Sequence, residues 1–232
     1  MATSTVEDYL KCILMEEQRN PSALVATGTI AESLDVAPGT VTAMVKTLAE
    51  SGLLRHEPYS GVRLTRAGRQ LAIHVLRRHR LVELFLVQVM GLDWSEVHDE
   101  AEHLEHAVSD RVIQRMDDML GHPSVDPHGD PIPDAEGTVR EPDLPNLVHC
   151  PLGVPLRVAR VQDQSAEFLQ LVERRGLQLD SRLRVVARSE PSDTVELSLE
   201  DERKLSLGFR AASKILVQPL SEKVSTEEPL SV

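Results

Sequence analysis

The stretch TIAESLDVAPGTVTAMVKTLAESGLLRHEPYSGVRLT, residues 29–65, decides the fold. Thr29–Leu34 reads as a short helix, Asp35 and Val36 as a turn, and Ala37–Ser51 as a longer helix closed by Gly52. Pro38 suits the first turn of that helix, where a missing N–H costs nothing. Leu53–Glu57 and Val62–Thr65 then alternate about the turn Pro58–Gly61, which predicts a two-stranded hairpin.

On the N-terminal side, Val6, Leu10, Ile13 and Leu14 recur at helical spacing, so Val6–Gln18 is a first helix, carrying Asp8 and ended by Pro21. A helix-turn-helix followed by a hairpin resembles the winged-helix DNA-binding domain. The longer helix would then enter the major groove, with Pro38, Gly39, Thr40, Thr42, Ala43 and Lys46 on or near its exposed N-terminal half. Lys46, Arg55 and Arg63 are the candidate phosphate partners. A small helical domain that binds protein is the alternative. The net charge of −12 argues against nucleic acid, but residues 1–80 hold ten basic against eight acidic side chains, a net of +2, which leaves −14 for the remainder. A DNA-facing module attached to a cation-attracting remainder fits that asymmetry.

On the C-terminal side, Thr65–Met90 reads as a long helix and Trp94–Leu120 as a second, each apolar enough to pack on the other and still face a second subunit. The second contains HDEAEHLEHAVS, residues 98–109. At about 100° per residue, His98, Glu102, Glu105 and His106 share one stripe beside the apolar seam of Val97, Ala101, Leu104, Val108 and Val112. Imidazoles and carboxylates one turn apart can converge on a divalent cation, although a solvated charged face has the same composition. His79 and Glu83 repeat the spacing on the first helix, so the pair could build a site between them. The segment after Gly121 is rich in proline and glycine and carries Asp126 and His128, either as ligands or in an ordinary connector. Beyond a polar linker, the apolar runs 155–161 and 182–187, with a helical stretch at Ser165–Gly176, predict a small β-rich barrel. The 41% hydrophobic content is enough for packed cores. No export signal or membrane-length apolar run is present, which predicts a cytoplasmic protein. Cys12 and Cys150 form no C-x-x-C pair and read as free thiols.

The runs GLDWSEVHDEAEHLEHAVSD and GHPSVDPHGDPIP, with the winged helix before them and the barrel after, resemble the diphtheria-toxin-repressor family of iron- and manganese-dependent transcription regulators over essentially the whole chain. The resemblance implies a mostly α, α+β protein. Its parts would be a winged-helix DNA-binding domain (1–65), a helical dimerisation and metal-binding domain (66–133), a linker (134–150), an SH3-like small β-barrel (151–220) and a flexible tail (221–232). It implies two metal sites: Asp8, Glu102, Glu105 and His106 in the first; His79, Glu83, His98, Asp126 and His128 in the second, joined by Asp163, with Glu167 and Gln164 as alternatives.

Iron-responsive members place methionine and cysteine where this chain has Asp8 and Glu102, and hard oxygen ligands suit Mn(II). Mn(II) is therefore the first expectation and Fe(II) the second, with other divalent transition metals substituting in vitro. Lys11 stands where some manganese-specific members carry a further carboxylate, which argues against a closely spaced two-manganese cluster. The implied function is repression of metal-uptake genes by a homodimer on an inverted-repeat double-stranded DNA operator, with no enzymatic activity and no membrane partner. A metal-independent winged-helix regulator sensing a small molecule is the alternative; a metal-dependent hydrolase lacks a visible nucleophile, and a metal buffer leaves the winged helix without a purpose.

Overall fold

The computed structural model describes residues 3–220, so the tail expected at 221–232 lies outside the described residues. The chain divides into two compact units, one running to Pro127 and including Pro131–Glu141, the other formed by His128–Asp130 and the chain from Pro142 onward. The first therefore holds both segments expected as separate DNA-binding and helical domains.

In that unit, α1 (Ser4–Arg19) begins where the Thr3 hydroxyl accepts the Val6 N–H at 3.4 Å. It buries Leu10, Ile13 and Leu14 against α2 (Thr27–Ser33) and α3 (Pro38–Glu50). Pro38 opens α3 as expected, and Val41, Val45 and Leu48 form its buried face, leaving Pro38, Gly39, Thr40, Thr42, Ala43 and Lys46 exposed. The hairpin joins β1 (Leu54–Glu57) to β2 (Gly61–Leu64) with Arg55 opposite Arg63. Val25 extends it by exchanging two backbone hydrogen bonds of 2.9 Å with Val62.

The long helix α4 (Arg66–Gln88) is capped by the Thr65 hydroxyl, which accepts the Gly68 N–H at 3.1 Å and donates to the Gly52 carbonyl at 2.8 Å. A Cβ on Gly68 would lie 1.9 Å from the Leu53 carbonyl oxygen, so only glycine lets α4 pack this close to the start of the hairpin. The distal half of α4 packs through Leu81, Val82, Leu84 and Leu86 on α5 (Val97–Glu105) and α6 (Asp110–Met119).

The single helix expected over 94–120 is broken between Glu105 and Asp110. Ala107 and Val108 turn their N–H groups back onto the Leu104 carbonyl at 2.9 and 3.0 Å, and Ser109 is extended at ψ 154° before α6 starts. A serine followed by an aspartate is a helix start, and the apolar periodicity that runs through it concealed the break.

The second unit is an antiparallel sheet of β3 (Leu156–Val161), β4 (Arg182–Ser189), β5 (Thr194–Leu199), β6 (Lys204–Leu207) and β7 (Ile215–Pro219), in the order β6-β5-β4-β3-β7. The helix expected near 165–176 is α7 (Ala166–Arg174), which sets Phe168, Leu169 and Val172 into the core, and a short α8 (Phe209–Ala212) precedes β7. Alternate strand residues point inward, among them Leu156 and Val158, Leu183 and Val185, and Val195 and Leu197.

The second half of the expected linker belongs to this unit: Leu147 donates its N–H to the Ile215 carbonyl at 3.1 Å, and Leu147 and Cys150 are buried. Polar residues and prolines made the segment read as a connector, whereas two apolar side chains anchor it. Among the described residues, no helix is long and apolar enough to cross a membrane.

Glu17 ties α1 to two neighbours. Its buried carboxylate accepts the Leu64 N–H at 2.8 Å and pairs with Arg69 of α4. Glu17→Ala leaves a buried backbone donor without its partner, which costs about 1–3 kcal/mol. A correspondingly lower urea midpoint is expected; an unchanged midpoint would show that water replaces the carboxylate.

Candidate metal centre

Three helices of the first unit deliver the chemistry-bearing side chains. From α4, His79 and Glu83 project one turn apart; from α5 and its end come His98, Glu102, Glu105 and His106; from α1 come Glu7, Asp8 and Lys11. The break after Glu105 matters here, because His106 caps α5 and leaves its axis to reach α1.

His106 donates from Nε2 to Asp8 Oδ1 and from Nδ1 to Glu7 Oε2, each at 2.7 Å, and its Nε2 lies 3.1 Å from Glu105 Oε1. His79 donates from Nδ1 to Glu105 Oε2 at 2.6 Å and from Nε2 to Glu83 Oε1 at 2.9 Å. His98 Nδ1 reaches the same Glu83 oxygen at 3.2 Å, with the two imidazoles edge to face at 4.9 Å between centroids. Lys11 donates to Glu102 Oε1 at 2.6 Å and Glu105 Oε1 at 2.7 Å, and its Nζ lies 3.5 Å from His79 Nδ1.

Three triads in this unit present ligand atoms within 4.8 Å of one another: Asp8, Glu105 and His106; His79, Glu102 and Glu105; and His79, Glu83 and His98. Carboxylate oxygens and imidazole nitrogens so gathered are a donor set that a divalent transition metal fits. A cleft of about 1050 Å³ lined by Asp8, Arg78, Glu102, His103 and His106 gives solvent access to the Asp8 side.

The electrostatics follow from burial. Burial pulls the His79 imidazole down, but Glu83 and Glu105 outweigh it and hold its pKa at about 9. Burial likewise opposes the charge on Lys11 and is overcome by Glu105 and Glu102, so its pKa is raised. His106 is raised because Glu7, Glu105 and Asp8 outweigh its burial. Burial raises Asp8 despite the favourable His106 and Lys11 charges, whereas Glu105 is lowered because His79 and Lys11 overcome its burial.

The structure thus brings together Asp8, Glu105 and His106, and His79, Glu83 and His98, while Glu102, expected with Asp8, gathers instead with Glu105 and His79 around Lys11. The structure also departs from the expected partition at His79, whose two ring nitrogens face one group of each site. Glu7 was missed: its place beside Asp8 on α1 was the available signal, but only the turn of His106 toward α1 makes it a partner. Asp126 is buried in the first unit with its Oδ2 3.7 Å from Arg80 Nε. Within the second unit, the carbonyl of buried His128 accepts the Val161 N–H at 2.8 Å. Asp163 pairs with Lys214 and accepts both the N–H and the hydroxyl of Ser165, and Gln164 donates to Asp130 at 2.9 Å.

On the winged helix, Arg55 is exposed, but Arg63 donates to the carbonyls of Pro21 and Ala23, the latter at 2.8 Å. Arg63 therefore secures the hairpin against the segment before α2, a role its sequence position could not reveal. Lys46 is exposed, 4.0 Å from Glu50, and Tyr59 stands fully exposed at the hairpin tip.

Three family profiles match the chain: the iron dependent repressor N-terminal DNA-binding domain at residues 1–62, the iron dependent repressor metal-binding and dimerisation domain at 65–134, and the FeoA domain at 146–219. The sequence is 35% identical over 226 residues to the iron-dependent repressor IdeR of Mycobacterium tuberculosis, covering 92% of this chain and 96% of that protein. Among solved structures, a manganese-dependent transcriptional repressor in complex with manganese superposes with a TM-score of 0.83 at 43% identity, over 93% of this chain and all of that one. The apo form of the manganese-activated repressor ScaR superposes with a TM-score of 0.73 at 33% identity, over 92% and 100% of the respective chains.

Because the folded-state pKa of His79 is raised from 6.5 to about 9, its contribution to stability is complete below pH 6.5 and is lost as pH rises through 9. Urea midpoints of chelator-treated protein should therefore fall across that window, and His79→Gln should flatten the decline. Equal slopes in the two proteins would refute the assignment.

Proposed function

The chain belongs to the iron-dependent repressor family, which comprises metal-dependent DNA-binding transcriptional repressors rather than enzymes, and on that premise we propose that its corepressor is Mn(II), with Fe(II) second. One observation carries the choice: the clustered donors in the first unit are carboxylate oxygens and imidazole nitrogens, with no cysteine among them. The neighbouring Cys12 is buried in the hydrophobic core, where burial pushes its thiol up to about 11. Hard donors of this kind suit Mn(II) and Fe(II), whereas a thiolate would favour metals later in the series. Other divalent transition metals bind such donors in vitro.

Asp8, Glu102, Glu105 and His106 are the proposed first site. His79, Glu83 and His98 are the centre of the proposed second, with Asp126 of the same unit as a further candidate ligand. A bound divalent ion supplies concentrated positive charge that carboxylates of separate helices can share. Asp8 stands on α1, the same helix whose Glu17 holds Leu64 of the hairpin and Arg69 of α4. Fixing Asp8 against Glu105 and His106 therefore fixes the DNA-binding elements against the α4–α5 pair.

In the homodimer this narrows the separation of the two α3 helices to one that suits successive major-groove faces, about 34–36 Å or a multiple. An inverted repeat is the matching operator. If the competent separation is rare without metal, moving it from about 1:99 to 99:1 takes roughly 5.5 kcal/mol of differential affinity, to which both subunits contribute. Pro38, Gly39, Thr40, Thr42, Ala43 and Lys46 face the groove, and Arg55 holds phosphate. Genes of metal uptake are the proposed targets, in the cytoplasm.

The test is retention of genomic promoter fragments by chelator-stripped protein at fixed salt, with and without Mn(II), and with Fe(II) under anaerobic conditions; salt is fixed because phosphate contacts make affinity salt-dependent. A few fragments retained only with Mn(II) are expected, and Asp8→Ala should lose that response while remaining dimeric. Greater retention with Fe(II) would correct the metal, and equal retention without metal would overturn the reading.

A further inference from the structure

The three metal-capable triads of the first unit overlap. Glu105 belongs to the outer triad with Asp8 and His106 and to the central one with Glu102 and His79; His79 in turn joins the central triad to the other outer one, with Glu83 and His98. The central position already carries a cation. Lys11 Nζ lies 2.6 Å from Glu102 Oε1, 2.7 Å from Glu105 Oε1 and 3.5 Å from His79 Nδ1, so it touches one ligand atom of every member of that triad. The side chain is 7% exposed and Glu105 is fully buried, so the ammonium is not a surface group that happens to lean inward. It comes from α1, three residues beyond Asp8, on the turn that faces α5.

An ammonium and a divalent ion compete for the same carboxylate oxygens, and like charges sharing one buried set repel strongly. A metal ion using Glu102 Oε1 and Glu105 Oε1 together would need the volume that Nζ occupies.

Accepting the metal-dependent reading above, we propose that Lys11 is a resident cation of this cluster, which holds the central position permanently and keeps a further metal out of it, so that metal enters only the two proposed sites on either side, as magnetically separate ions, with Glu102 left to the first site through the oxygen that Lys11 does not engage. The tethered charge does two things. It compensates buried Glu105 before any metal arrives, so that carboxylate is paired in the metal-free protein. It also removes negative charge from the outer sites, so they fill only at higher free metal than the bare carboxylates would require. Lys11 is a positioning residue and sets a threshold; it is not a ligand.

The experiment uses the full-length dimer, stripped with chelator and titrated with Mn(II) alone. Bound metal is counted by equilibrium dialysis, and the saturated protein is examined by electron paramagnetic resonance. The wild type should show only the six-line signal of isolated Mn(II). Lys11→Gln and Lys11→Glu should each bind one further Mn(II) per chain, show the broadened multiline signal of an exchange-coupled pair, and half-saturate at lower free Mn(II). Lys11→Arg, which keeps the charge, should behave as the wild type.

A coupled pair in the saturated wild type would overturn the proposal without reference to any variant. An unchanged metal count in both neutral and acidic variants, with thermal unfolding showing them folded, would also overturn it. A wild type that binds no Mn(II) would instead bring down the metal-dependent function, a separate outcome from either of these.

Discussion

Glu105 is a fully buried carboxylate, and such a charge is tolerated only when partners repay its desolvation. Three groups from three places do so: the Lys11 ammonium on α1, the His79 imidazole on α4, and His106 just beyond α5. Each partner has a further obligation, Lys11 to Glu102, His79 to Glu83, and His106 to Asp8 and Glu7. One desolvated charge thereby draws side chains from three helices to a single point.

The same helix α1 serves the DNA-binding half. Leu10, Ile13 and Leu14 lie in the core with α2, α3 and the hairpin, while Glu17 holds the Leu64 backbone and Arg69. The helix thus carries Asp8 and Lys11 of the clustered side chains toward one end and the hairpin anchor Glu17 near the other. Arg63 adds a tie between the hairpin and the segment ahead of α2 by donating to two carbonyls there.

The second unit solves its own packing problem. Inward residues on five strands and the apolar face of α7 close its core, and Leu147 and Cys150 bring the preceding segment onto the sheet, where Arg188 donates to the Leu147 carbonyl at 2.9 Å. Gly129 crosses β3 at a point where a Cβ would lie 2.1 Å from the Ala159 carbonyl oxygen, with φ at +88°, so glycine is required there twice over.

Local signals sufficed for the elements. Pro38 at a helix start, the alternation on either side of Pro58–Gly61, and the spacing of Leu10, Ile13 and Leu14 each depend on neighbours a few residues away, and so do the stripes that put His98 with Glu102 and His79 with Glu83. Helical spacing also placed His98, Glu102, Glu105 and His106 on one face, whereas Asp8 and the residues beyond Gly121 joined the candidate set only through the family resemblance. What tertiary structure decided is which groups meet across elements: that the helix breaks after Glu105 so His106 reaches Glu7 and Asp8, that His79 faces both parts of the cluster, that Arg63 is used by the fold, and that the ammonium of Lys11 lies at its centre. Periodicity fixes the direction in which a side chain leaves its own helix. The partner it finds depends on the packing of helices from distant parts of the chain, and on the need for every buried charge to find its compensation.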